Sequence, residues 1–329
     1  MTDTLSSLVW NAAPDPLGRP FLDLRPLTAA LEARGWNPER LAKNGLPPAT
    51  EGLDPGYVRF WETIEALCEA MNALQIPPVI LKSIRVYAYD DGNVDLLVPA
   101  GRLWEVARAL AKGRWKMPDT AYLIEQQLVE RNKLKLLPRE DTLLHAHLYE
   151  GIGWRYQSDL AILGARHDRV TAIDTRAFLP NGNGPGLRVF APDPVAELVL
   201  QAAHIAFENY RMTVGEAVNL CLLRRQHAAS WQAALTLADD VGCRHALVSL
   251  LEVAERIVAD LDTLDPVATP LPLSKRLIFG IHLQRIAHLV RHGKIGGAIG
   301  ELFSVAVVFP GVRTIRLLRR WRRGREDFR

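Results

Sequence analysis

The chain has little cysteine. Cys68, Cys221 and Cys243 are odd in number and far apart, and no Cys-x-x-Cys occurs. That excludes a disulfide scaffold and a thiolate zinc site, and points to a reducing compartment. Long apolar runs are also missing. The nearest candidate, Ile295 to Phe309, is broken by Gly296, Gly297, Gly300 and Glu301, short of the roughly 18 uncharged residues of a membrane span. The opening Met-Thr-Asp-Thr-Leu lacks the basic-then-apolar order of a signal peptide. A cytoplasmic chain without a transmembrane segment is expected. A general cationic surface is absent as well. Residues 313–329 hold eight arginines against Glu326 and Asp327, a local charge of +6, which leaves the rest of the +3 chain at −3. No basic groove for nucleic acid is indicated across the body.

What is present divides into strands first and helices second, over a length of 329 residues that suits more than one core. Residues 1–56 are rich in proline and glycine, and are expected to form an irregular cap with one helical stretch near Leu27–Arg34. Phe60, Ile64, Leu67, Met71 and Leu74 recur at helical spacing and predict an amphipathic helix over 57–74. Pro77-Pro78 ends it. Val79–Leu81 and Val94–Val98 read as strands separated by the turn-prone Asp90-Asp91-Gly92, and a helix follows over 103–111.

Lys133–Leu137 and Thr142–Tyr149 predict two more strands joined through Pro138–Asp141, and Leu187–Phe190 another. Residues 180–186 read as a loop. Beyond Asp193-Pro194, a cap and a first-turn proline, helices are predicted at 194–209, 214–227, 230–240, 244–261, 273–292 and 312–323. The expected fold is α+β: a small mixed sheet with flanking helices over 57–190, a helical domain over 191–311, and a basic amphipathic helix over 312–329.

The segment richest in chemistry is Leu81-Lys82-Ser83 followed by Gly92-Asn93-Val94-Asp95-Leu96-Leu97-Val98. It resembles the nucleotidyltransferase superfamily, and within it a bacterial subgroup with Leu-Leu-Lys-Gly at a turn and Gly-Asp-Ile-Asp-Leu-Leu-Val on the next strand. Members of that subgroup are often encoded beside biosynthetic genes, including those for modified peptides. His145-Ala146-His147-Leu148, Pro192-Asp193-Pro194 leading to His204, and Phe309-Pro310-Gly311 resemble later parts of the same family, so the likeness runs over about 57–325.

The resemblance implies Mg²⁺ or Mn²⁺ bridging a nucleoside triphosphate, and transfer of its nucleotidyl group to a small-molecule or peptide acceptor. Carried over residue by residue, Asp95 and Asn93 stand at the metal strand, with Asp91 as a substitute ligand. Lys82, Ser83 and Arg85 stand at the phosphates, and His145 and His147 line the site. The departures are substantial. Asn93 replaces a metal aspartate, Ser83 a glycine, and the third carboxylate position falls near Leu143. Two readings therefore stand: a working transferase, and a catalytically degenerate fold that binds a nucleotide, peptide or biosynthetic partner.

Other signals have plainer explanations. His204, among Ala202, Ala203 and Ile205, reads as a hydrogen-bonded core histidine, and His288 and His292 as surface residues. In the tail, Ile315, Leu318 and Trp321 recur among arginines. That pattern suits an acidic partner, an anionic membrane surface or RNA, and also a helix docked on the body with a solvated basic side.

Overall fold

The computed structural model describes residues 4–15, 20–47, 55–81, 85–89, 92–120, 122–123, 133–150, 169–178, 186–265, 269–303 and 305. The architecture is α+β. Seven described strands form one mixed sheet: β1 (Val79–Ile80), β2 (Asn93–Leu97), β3 (Trp115–Lys116), β4 (Lys133–Pro138), β5 (His145–Tyr149), β6 (Val170–Asp174) and β7 (Arg188–Pro192), in the order β3-β4-β5-β2-β1-β7-β6. β2 runs parallel to β5, with Asn93 beside His145 and Asp95 beside His147. β1 is antiparallel to β2, and β4 is antiparallel to β5 as the Pro138–Asp141 connection requires.

Alternation along the strands gives the sheet two unlike faces. Val94, Leu96, Leu134, Leu136, Ala146 and Leu148 turn to one side and are fully buried. They share a core with α4 (Pro55–Ala73) and α5 (Leu103–Lys112). α4 presents Phe60, Ile64, Leu67 and Met71 to that core, and the turn after Ala73 closes through Gln75 at a φ of 55° before Pro77. The other face carries Asn93, Asp95, His145, His147, Lys133 and Lys135. Leu97 and Tyr149, further along the same strands, enter a second core.

That second core is helical: α6 (Pro194–His204), α7 (Val214–Gln226), α8 (Trp231–Asp240), α9 (Arg244–Ala259) and α10 (Lys275–Arg291), with α11 (Ile295–Phe303) packed on α10. α6 starts where the Asp193 side chain accepts from Ala196 N at 2.8 Å, with Pro194 in the first turn. Residues 195–203 are buried on every side, so α6 is a central helix. α7 opens with a capping box in which Thr213 and Glu216 satisfy one another's backbone amides.

The described residues up to 47 are more helical than the irregular cap expected, which had one helical stretch near Leu27–Arg34. They form α1 (Leu5–Trp10), α2 (Arg25–Glu32) and α3 (Pro38–Lys43), and Leu5, Val9, Leu27, Leu31 and Leu41 are buried in the helical core. Asn44 and Gly45 press on the start of α7. Gly215 N donates to Asn44 O at 2.7 Å, and a Cβ on Gly215 would overlap the Gly45 carbonyl.

Several boundaries also shift. The strand expected over 142–149 begins at His145, because Leu143 and Leu144 turn into the core and Leu144 N donates to Thr63 Oγ1 at 2.9 Å. The helix expected over 194–209 ends as a wider turn at Ile205–Asn209, closed by Tyr210 at φ 55°. His288 is buried against Gly242 rather than exposed, and stacks on His292 at 4.1 Å. The 180–185 loop and the 312–323 helix lie outside the described residues.

Candidate functional site

The polar half of the second sheet face is built by the parallel pair β2–β5 and the neighbouring β4. Residues paired across strands share a face, so Asp95, His147 and Lys135 form one row, with Tyr149 and Lys133 forming the next. Asp95 is only 2% exposed, and its Oδ1 lies 3.1 Å from His147 Nδ1. A buried carboxylate is stable only when paired or hydrogen-bonded. An ionised Asp95 takes its hydrogen bond from Nδ1–H, which leaves His147 Nε2 as an acceptor. Burial pushes the His147 imidazole down to about 4; Asp95 opposes that shift, while Lys133 and Lys135 reinforce it. The ring is neutral at neutral pH. His145, beside Asn93, is also shifted down by burial and by Lys135.

Lys133 is buried, with its Nζ 4.5 Å from the centre of the Tyr149 ring. Burying an ammonium is costly, and an aromatic face offsets part of that cost. Among the described residues the face therefore carries two lysines, one carboxylate and two imidazoles. A hard dication needs several oxygen ligands, and among the described residues no three His, Cys, Asp or Glu side chains are gathered to supply them. Asp95 is already engaged by His147. Asp91, the other expected ligand, lies outside the described residues.

Asn93 and Asp95 lie two apart on β2 with Val94 turned into the opposite core, as expected. His145 and His147 are brought beside them. The position next to Asp95 where a third carboxylate was sought is His147; Leu143 sits before β5 with its side chain in the core. Arg85 is engaged elsewhere: Nη1 donates to Gly45 O at 2.9 Å and to Tyr87 Oη at 2.8 Å, and the guanidinium lies 4.1 Å over Tyr89. No described contact links it to Asp95. Lys82, Ser83 and Asp91 lie outside the described residues, but Leu81 N donates to Asp95 O at 2.8 Å, so the residue before Lys82 is bonded to Asp95 itself.

His204, read as a core histidine, hydrogen-bonds to Glu208 through Nδ1 and to Asn209 through Nε2. Lys133 and Lys135 were missed as site residues, although their period-two placement in Lys-Leu-Lys-Leu sets them on one strand face. Compared with known proteins, the chain matches no family model, no curated protein and no solved structure.

Proposed function

We propose that this is a nucleotidyltransferase-like protein of the degenerate kind, which binds a phosphate-bearing ligand, a nucleotide first among them, on the polar face of β2, β5 and β4. One observation supports the proposal: Lys133 and Lys135 of β4 lie beside the Asp95–His147 pair, where a transferase would concentrate carboxylates. Lys133 and Lys135 would meet phosphate oxygens, His147 would hold one hydrogen-bonding position beside them, and Asp95 keeps that ring in place. Metal, if it comes, arrives on the triphosphate.

The test is a set of thermal melts with each common nucleoside triphosphate and with pyrophosphate, with and without Mg²⁺ or Mn²⁺. Ligand at a hundredfold excess over Kd adds about 2.7 kcal/mol to stability, a shift of several degrees. The expected result is a shift that needs no metal and is lost in Lys135→Gln. No shift with any of these ligands would sink the proposal. Transfer of a nucleotidyl group to a small-molecule or peptide acceptor is the second reading, supported by Asn93 and Asp95 facing one side of β2. It predicts instead a shift that requires Mg²⁺ and disappears in Asp95→Asn.

A further inference from the structure

Eight large hydrophobic side chains are exposed among the described residues, and seven of them lie on the α10–α11 hairpin. Phe279, Leu283 and Val290 form one stripe along α10, and Ile295, Ile299 and Leu302 one along α11. Ile299 is 63% exposed. The opposite side of α10 is an ordinary packed face, with Ile281, His282, Arg285 and Leu289 buried. An apolar surface of this extent on one supersecondary unit marks a contact site.

Charge identifies what it contacts. Lys275, Arg276, Arg291 and Lys294 are exposed at the ends of the two helices. Between Asp265 and Glu326 the sequence contains twelve Lys and Arg residues and one acid, Glu301. That acid is withdrawn from the surface: it is fully buried, paired with His282 Nδ1 and with Arg285 Nε at 3.3 Å. Among its described residues the hairpin therefore shows the outside no acid; its exposed side chains are apolar or cationic apart from neutral polar ones such as Gln284 and His292. A groove of about 380 Å³ at the start of α10 sets Lys275 and Arg276 beside Ile278, Phe279 and Val305, two cations adjoining an apolar wall.

We propose that the α10–α11 hairpin is a membrane-surface anchor, lying in the interfacial plane of a bilayer rich in anionic phospholipid. Apolar stripes bordered by cations are the composition that such interfaces select. No described helix is long and apolar enough to cross a membrane, which fits a hairpin that lies along the surface. A second copy of the chain is disfavoured as occupant because two such faces would bring like charges together. Nucleic acid is disfavoured because it has no use for the apolar stripes.

The experiment is co-sedimentation of the full-length protein with phosphatidylcholine vesicles, with and without phosphatidylglycerol, at several salt concentrations. Binding to the anionic vesicles is expected to exceed that to neutral ones by about tenfold or more and to weaken as salt rises. Leu283→Gln with Ile299→Gln should reduce it by about tenfold while leaving the melting temperature unchanged, since both positions are exposed. Removing residues 313–329 should lessen the salt-sensitive part and leave the part that depends on Leu283 and Ile299. The proposal is overturned if anionic vesicles are not bound, or if the double variant binds as well as the parent. Loss of all binding on tail removal alone would also overturn it. So would a dimer that the double variant dissolves, or RNA binding in place of vesicle binding.

Discussion

His147 is a ring forced to stay neutral beside a carboxylate. Its folded pKa of about 4 lies below the ordinary 6.5, so the unfolded chain takes up the proton first. Stability is then full above about pH 6.5, falls as the pH drops towards about 4, and levels off below that. The loss is on the order of 3 kcal/mol. In His147→Asn, whose amide can still donate to Asp95, the share of this slope owed to His147 should vanish. Urea midpoints measured across the window would show it, and a slope unchanged in the variant would mean that other groups carry the acid sensitivity. Asn93→Asp is a second test at this scale. It restores a carboxylate two residues from Asp95, and should raise Mn²⁺ affinity above that of the parent in a calorimetric titration. A fold unrelated to the metal-binding reading would show no gain.

At the scale of elements, long periodic helices were legible and short pairings were not. α4 announces itself through Phe60, Ile64, Leu67 and Met71, and α6 through Asp193-Pro194. β3, β8 (Arg211–Met212) and β9 (Leu271–Pro272) have two residues each, too few for any period to be seen. α11 was hidden by Gly296, Gly297 and Gly300, which read as breakers, yet Glu301 ties it to His282 and Arg285 of α10. Half of the site was readable. Alternation placed Asn93 with Asp95, and His145 with His147, on common faces. That β2 and β5 would lie side by side depends on pairing between distant segments, which local spacing does not encode.

Gly215 supplies the prediction for this scale. Its missing Cβ lets α7 approach the Gly45 carbonyl, so Gly215→Ala must push the two backbones apart. We expect a loss of about 2–4 kcal/mol despite alanine's better helix propensity. Thr213→Ala, which removes the cap of the same helix, should cost about 1 kcal/mol. Chemical denaturation ranks the two, and the reverse order would show the close approach to be soft.

Across the whole molecule, the helical core is made from both ends of the sequence. α1 packs on α9, Leu5 N donates to Asp262 Oδ1 at 3.3 Å, and Arg34 pairs with that same carboxylate. Deleting residues 1–47 is therefore expected to melt α6 to α9, exposing Leu198, Val199 and Leu247. Limited proteolysis of the truncated chain would reveal new cleavage inside 195–260. Survival of that segment would make the N-terminal helices a dispensable cover.

The same interleaving has a consequence during synthesis. Leu5, Leu27 and Leu31 leave the ribosome about 200 residues before Leu247 and Leu250 of the core they join. At about 5–20 residues per second the early leucines stay unburied for roughly 10–40 s. The strands and α4, whose core closes within the first two hundred residues, can settle before then. The sheet core is thus expected to close before the helical one, and α1 and α2 are the segments left waiting for their partners.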